Sequence, residues 1–342
     1  MQVVEKKDFN KYFRQIVETN NSFVLTTHVN PDADGLGCEL AVNRFLKKLS
    51  KQSVILNYSE TPENHLFLDY DAEIVKFIPA VHANTVLDAD VLIAFDMNNP
   101  SRLRTMEEYF LRSKAVKLVV DHHLDAEDFA DYMFIDLDAA ASAEIIYTLL
   151  KDLSPGLLDK SIAEPLYAGI MTDTGSFRFP RTNADLHRVT AELLELGVDP
   201  TYVYNSLYEQ SSLGRVHLLG EVLTNLRLAF NGRLSYFTVT LEQLMRNRVK
   251  PDETDGFVNQ AGAIKGVAAT VFFMELPDGV KISFRSKGDL AVNELAKIYG
   301  GGGHKNASGA RVFGRKLDEV VPDVLVTAGK ILFKEEVITN EK

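Results

Sequence analysis

Cysteine is all but missing from this chain. Cys38 stands alone in 342 residues, which excludes an intramolecular disulfide framework and fits a reducing cytoplasm. Long apolar runs are missing as well, so nothing in the sequence reads as a bilayer span. The opening stretch "MQVVEKKDFNKYF" is too charged for a signal peptide. No internal repeat and no low-complexity tract stand out. Positive charge is scarce, with 37 Lys+Arg against 48 Asp+Glu and a net charge of −11. A long polyanion lying across the surface needs many cationic contacts, so an extended nucleic-acid track is not expected. The expectation is a cytoplasmic protein with no membrane partner.

What is present is ordinary globular composition, 46% hydrophobic and 25% charged. At this length two domains are the better prior. We place a front domain over 1–199, a helical linker over 200–218 and a rear domain over 219–342. Charge divides unevenly along the chain. The first 219 residues carry 20 Lys+Arg against 33 Asp+Glu, and the remainder 17 against 15. That suits a metal-loaded front part and a rear part that holds an anionic substrate. Solvated surface charge falling this way by chance is an equal reading.

The front part alternates apolar strand-like runs with amphipathic stretches. "SFVLTTH" (Ser22–His28), "SVILNY" (Ser53–Tyr58), "DVLIAFD" (Asp90–Asp96) and "AVKLVVD" (Ala115–Asp121) read as buried strands. Between them lie helical patterns such as "GLGCELAVNRFLKKL" and "PSRLRTMEEYFLRS". This alternation predicts an α/β fold with a doubly wound, mainly parallel sheet. "SAEIIYTLLKDL" (Ser142–Leu153) reads as a helix with a serine cap, and "TNADLHRVTAELLELG" as a capped helix ending on glycine. After a largely helical stretch over Tyr202–Leu226, the strand-like "RLSYFTVT", "VAATVFFMEL" and "VKISFRS" indicate a smaller mixed α/β unit.

Three predicted strands end in metal-type ligands. "FVLTTH" runs into His28, Asp32 and Asp34, "VLIAF" into Asp96, and "KLVV" into Asp121, His122 and His123. In open α/β sheets ligands bind beyond the carboxyl ends of the strands, so these sets gather at one edge. Asp173, at a helix-to-loop break, could join them. Each has a plainer reading. "HVNPDADG" carries turn signals, Asp96 opens the turn-rich "DMNNP", Asp121 could cap exposed imidazoles, and Asp173 could be an ordinary helix-end carboxylate. Joint placement at strand ends favours the metal reading. Carboxylates with imidazole and no thiolate suit Mn²⁺ or Mg²⁺. Four carboxylates (Asp32, Asp34, Asp96, Asp173) would offset two divalent ions, the composition of a two-metal site for phosphoryl displacement.

"HVNPDADGLG", "FDMNNPSRL", "DHH" and "TDTGSFRF" resemble the four motifs of the DHH phosphoesterase superfamily, and "FRSKGDLAVNELAKIYGGGGHKNASGA" resembles its DHHA1 substrate-binding domain. The resemblance covers almost the whole chain, and within the superfamily it is nearest the bacterial oligoribonuclease and pAp phosphatase group. It implies one ion on His28, Asp32 and Asp96, and a second on Asp34, Asp96, His122 and Asp173, with Asp96 bridging. It implies that His123 faces the substrate phosphate and that Asp121 supports the adjacent histidines, so that His123, Asp96 and Asp121 form the catalytic set. Gly37-Cys38 stands where the family usually has Gly-Ser, a departure that bears on helix capping rather than on a ligand.

The rear stretch "YGGGGHKNASG" (Tyr299–Gly309) reads as a ligand-contacting loop, with a flexible helix-to-strand connection as its plainer reading. It is not a Walker loop, since no Ser or Thr follows Lys305. Candidate substrate-binding residues are Arg285, Gly302, Gly303, His304, Lys305, Asn306 and Ser308. Arg178 and Arg181, near Asp173, are phosphate-binding candidates or plain surface arginines. The resemblance implies a Mn²⁺-dependent enzyme, with Mg²⁺ as the other ion, that cleaves short RNA or DNA oligonucleotides to mononucleotides and removes the 3′-phosphate of pAp. A homodimer is compatible with it. The rival readings are a phosphodiesterase of cyclic or linear dinucleotide messengers and a non-enzymatic nucleotide-binding module.

Overall fold

The computed structural model describes residues 2–334. The chain divides into two compact units between Gln210 and Ser211. The first unit contains, in order, β1 (Gln2–Val3), α1 (Phe9–Thr19), β2 (Ser22–Thr27), α2 (Ala33–Lys48), β3 (Gln52–Asn57), β4 (Ile74–Lys76), α3 (Pro79–Leu87) and β5 (Val91–Phe95). It continues with α4 (Glu107–Arg112), β6 (Val116–Asp121), β7 (Tyr132–Ile135), α5 (Ser142–Leu153), α6 (Lys160–Asp173), α7 (Ala184–Glu195) and α8 (Pro200–Tyr208).

Its seven strands form one parallel sheet in the order β1-β7-β6-β5-β2-β3-β4. The two-residue period of the strands explains why both faces are apolar. Phe23, Leu25, Ile93, Phe95, Leu118 and Val120 pack under α1, α2, α5 and α6, whereas Val24, Leu92, Ala94 and Val119 meet Val86 of α3 and Phe110 of α4. The sheet is therefore doubly wound, as the alternation predicts. From β2 the chain runs outward through β3 and β4, then returns to the other side of β2 with β5, β6 and β7. The direction of winding reverses between β2 and β5, and such a switch point opens a crevice at the carboxyl ends of the strands.

Two local expectations are corrected. Residue Ala141, not Ser142, is the N-cap of α5, and it makes no side-chain cap. The stretch read as one helix from Pro100 begins as a 3-10 turn, interrupted at Arg104 (φ 55°), before α4. The cap of α2 is Asp32, and Cys38 is fully buried inside that helix, so the Gly37-Cys38 departure leaves the cap untouched.

The second unit contains α9 (Leu213–Thr224), β8 (Arg227–Ala229), β9 (Leu234–Val239), α10 (Leu241–Asn247), α11 (Phe257–Ala261), β10 (Ala269–Leu276), β11 (Gly279–Ser286), α12 (Val292–Ile298), β12 (Gly302–His304), β13 (Ala307–Phe313) and α13 (Leu317–Ala328). Its six-stranded sheet has the order β12-β13-β11-β10-β9-β8 and is mixed, with only β9 and β10 parallel. The glycine run expected to be a loop instead enters a hairpin, β12 pairing with β13 across Lys305 and Asn306. Segment 200–218, read as a helical linker, is helical over α8 and the start of α9.

Candidate metal centre

The crevice at the switch point is lined by chain segments leaving β2, β5 and β6. His28 follows β2 directly, and its Nδ1 lies 2.9 Å from the carbonyl of Val29, which turns Nε2 inward. That Nε2 sits 3.4 Å from Asp96 Oδ2 and 3.8 Å from Asp32 Oδ1. Asp32 Oδ1 also accepts the amides of Asp34 and Gly35 at the start of α2. The turn and the acidic cluster are therefore one device: the cap that begins the helix presents the carboxylate. Gly35 is required here, since a Cβ would lie 2.2 Å from Thr27 Oγ1.

Asp34 is completely buried in the first turn of α2. Its Oδ2 accepts the Ser142 amide at 2.7 Å and its Oδ1 the Ala143 amide at 2.8 Å. Both oxygens thus lie on the positive end of α5. Asp96, just past β5, takes the left-handed conformation (φ 55°) that Asp tolerates better than most residues. It receives the Ser142 hydroxyl on Oδ1 at 3.2 Å. His122 Nε2 stands 3.5 Å from that same oxygen, 3.0 Å from Asp173 Oδ2 and 4.0 Å from Asp34 Oδ2. His123 Nδ1 is 2.7 Å from Asp121 Oδ1 and 3.5 Å from Asp96 Oδ1. Asp121 is fully buried.

Three groups of potential ligand atoms result: His28, Asp32 and Asp96; Asp34, His122 and Asp173; and Asp96, His122 and His123, each within 4.8 Å. Asp96 directs one oxygen toward His28 and the other toward His122. Electrostatics show the crowding. Burial, aided by the charges of Asp96 and Asp173, pushes the Asp34 carboxyl well above its usual range. Burial likewise raises Asp173 to about 6. Burial works against ionising Asp96 too, but hydrogen bonds with His122 and His28 hold its carboxyl well below the ordinary value. Against their own desolvation, His28 is pushed up to about 10 by Asp32 and Asp96, and His122 to about 12 by Asp173 and Asp96. Divalent cations fit this donor set of hard oxygens and imidazole nitrogens, and Cys38 takes no part in it.

All six residues proposed from sequence as ligands, with Asp121 and His123, come together in the first unit. The rear candidates belong to the second unit and do not form one group. Register places His304 opposite Ala307, and Ala307 opposite Arg285, on one face of the sheet. Ser308 and Gly303 pair on the opposite, core-side face with Phe284. Asn306 donates to Ser286, Gly288 and Leu290 and so holds the neighbouring loop, and Lys305 pairs with Asp289 at 2.8 Å. Burial lowers the Arg285 guanidinium from its usual value.

The profile of the DHH family, N-terminal domain, matches residues 22–170, and that of the DHHA1 domain matches residues 234–328. The "Bifunctional oligoribonuclease and PAP phosphatase NrnA" of Bacillus subtilis is 31% identical over 307 residues, spanning 89% of this chain and 94% of the relative. The chain belongs to the DHH family. The same-named protein of Thermus thermophilus is 32% identical over 88% of this chain and 87% of its own length. The crystal structure of an exopolyphosphatase-related protein from Bacteroides fragilis superposes with a TM-score of 0.91 at 27% identity, covering 97% of this chain and 99% of that one.

Sequence reading of this DHH chain missed Ser142, whose hydroxyl and amide bind Asp96 and Asp34. Nothing local marks that role, because both partners lie more than forty residues away. Arg181, left between two readings, has its Nη1 3.3 Å from the carbonyls of His122 and Ala139 and braces the turn carrying His122. Ser142→Ala removes one hydrogen bond to Asp96 while retaining both amides on Asp34. We expect divalent-ion affinity to fall about tenfold with a stability loss near ~1 kcal/mol, measured by calorimetric titration and chemical denaturation. Unchanged affinity would mean Asp96 is positioned without Ser142.

Proposed function

We propose that this protein is a two-metal phosphoesterase that hydrolyses short oligoribonucleotides to mononucleotides and removes the 3′-phosphate of pAp. The names of its close relatives support the substrates. The observation that carries the two-metal reading is Asp96, with each carboxylate oxygen turned to a different ligand group.

Residues 1–199 would supply the catalytic part and residues 219–342 the substrate-binding part. One ion would be held by His28, Asp32 and Asp96, the other by Asp34, Asp96, His122 and Asp173. Divalent cations at such a site polarise phosphoryl oxygens and lower the pKa of water. Mn²⁺ suits the mixed carboxylate and imidazole donors, with Mg²⁺ the next choice. Asp121, bonded to Nδ1 of His123, orients that imidazole toward the phosphoryl group, where it helps neutralise developing charge. Ser142 and the first amides of α5 fix Asp96 and Asp34. In the second unit Arg285 and His304 bind the nucleotide beyond the scissile bond. A soluble cytoplasmic enzyme agrees with these substrates, and among the described residues no helix is long and apolar enough to cross a membrane. A homodimer is compatible with this reading.

The test is a panel of short RNA, pAp, and linear and cyclic dinucleotides assayed with Mn²⁺ and with Mg²⁺ after chelation. Hydrolysis of short RNA and pAp, strongest with Mn²⁺, is expected. Mn²⁺ at a hundredfold excess over its Kd should also stabilise the fold by about 2.7 kcal/mol. Activity surviving exhaustive chelation, or a large preference for the cyclic dinucleotide, would overturn the assignment.

A further inference from the structure

Glu39 is a carboxylic acid that offers no atom to the ligand groups and is completely buried. It lies in the second turn of α2. Its Oε2 accepts the side-chain amide of Asn57 at 2.9 Å, while Oε1 has no hydrogen-bond partner. A buried carboxyl oxygen left unpaired is costly, and the compensation lies in what Oε2 holds.

Asn57 closes β3. Its Oδ1 accepts the Thr27 amide at 3.2 Å and lies 3.4 Å from the Thr26 hydroxyl. Register pairs β2 with β3 only as far as Leu25 and Ile55, so the Asn57 side chain carries the contact past the end of that ladder. On the other side, β2 pairs with β5 as far as Thr27 and Phe95. There the Thr27 hydroxyl donates to the Phe95 carbonyl at 2.9 Å. The next residues of the two strands are His28 and Asp96, whose side chains stand 3.4 Å apart. Thr27 Oγ1 is also the atom that leaves no room for a side chain at Gly35. The first turn of α2, with Asp32 and Asp34, is thereby seated on the same threonine. A buried chain of hydrogen bonds thus runs from Glu39 through Asn57 and Thr27 to Phe95. It joins α2, β3, β2 and β5, and all but β3 deliver a ligand to the metal centre. Burial holds the Glu39 carboxyl well above its usual range, against the opposing pull of Asn57 and His28. As a neutral acid it binds Asn57 without adding a charge to a site already crowded with carboxylates.

On the metal reading of that site, we propose that Glu39, Asn57 and Thr27 are positioning residues for it. Together they fix His28 against Asp96, and both against the start of α2. Glu39 acts through its hydrogen bond and not through its charge.

Two pairs of variants test this in the full-length protein. Thr27→Val removes the hydroxyl bond to Phe95, and Thr27→Ser keeps it. Glu39→Leu removes the bond to Asn57, and Glu39→Gln keeps it without an ionisable group. By calorimetric titration, Mn²⁺ affinity should fall about tenfold in Thr27→Val and Glu39→Leu and stay within about twofold in Thr27→Ser and Glu39→Gln. At saturating Mn²⁺, kcat for pAp should drop about tenfold in the first two with KM within about twofold, a split that loss of fold would not give. A loss in Glu39→Gln as large as in Glu39→Leu would overturn the role given to Glu39. Full affinity in Thr27→Val, or equal losses in Thr27→Ser, would overturn that of Thr27. If the unaltered protein binds no Mn²⁺, the metal reading falls instead. Ion-free crystal structures then decide the positioning role on their own. The 3.4 Å between His28 Nε2 and Asp96 Oδ2 should hold in Thr27→Ser and change by more than about 0.5 Å in Thr27→Val. The same distance in both would overturn it.

Discussion

Asp96→Asn should abolish turnover, lowering kcat by at least about 10³-fold, while the protein remains folded. Asparagine is the informative replacement because residue 96 sits at φ 55°. Asn occupies that left-handed region readily, whereas alanine there would add backbone strain of about 1–2 kcal/mol and confuse folding with chemistry. An amide oxygen at this position still accepts the Ser142 hydroxyl, so the local packing is retained. What disappears is the one negative charge shared by the His28 and His122 groups, together with the oxygen turned to His28, which becomes an amide NH2. Calorimetric titration with Mn²⁺ should accordingly register fewer ions bound, not merely weaker binding of the same number. The ion-free melting temperature should stay within a few degrees of the original, and the gain conferred by Mn²⁺ should shrink. Near-normal turnover in this variant would remove the basis for a two-metal site.

The parallel sheet was legible because buried strands leave an unambiguous signal, continuous apolar runs ending in polar residues. Those same endings made His28, Asp96 and the Asp121–His123 run readable as one edge. Asp173 was harder, being brought in by a helix rather than a strand, and its place follows from the packing of α6 on α2. Ser142 was misread for a physical reason. A serine before an apolar helical pattern is ordinarily a cap, but here the helix's first amides are occupied by Asp34, which frees the hydroxyl for Asp96. The rear glycine run shows a second limit. Glycine suggests a loop, yet strand pairing of β12 against β13 decides its conformation and turns Ser308 to the core while leaving His304 on the open face. Tertiary partners settled both cases, and neither partner is near in sequence.

Gly169→Ala tests whether the close approach of α6 to α2 exists for the site's sake. In an exposed helix interior the exchange should be stabilising. Gly220 in α9 has nothing within 4 Å of the added Cβ, so Gly220→Ala should gain about 0.4–1 kcal/mol. At Gly169 the same methyl would fall 2.8 Å from Asp34 Oδ1, 2.9 Å from Asp34 Cα and 3.1 Å from the Ala143 Cβ. Asp34 cannot retreat cheaply, because both its oxygens are bound by the amides of Ser142 and Ala143. Helix preference therefore loses to overpacking, and we expect a net stability loss of about 1–3 kcal/mol by denaturant titration. The functional loss should be larger than that figure implies. A displaced Asp34 shifts one carboxylate against His122 and Asp173 in the same ligand group, and divalent-ion affinity and kcat should each fall about a hundredfold. Gly37→Ala separates the two effects. Its methyl would lie 2.3 Å from the Pro165 carbonyl, straining the same helix pair without touching a ligand carboxylate. A greater loss of stability but a smaller loss of ion affinity than Gly169→Ala is expected there. The reverse order would mean that Gly169 serves helix packing alone.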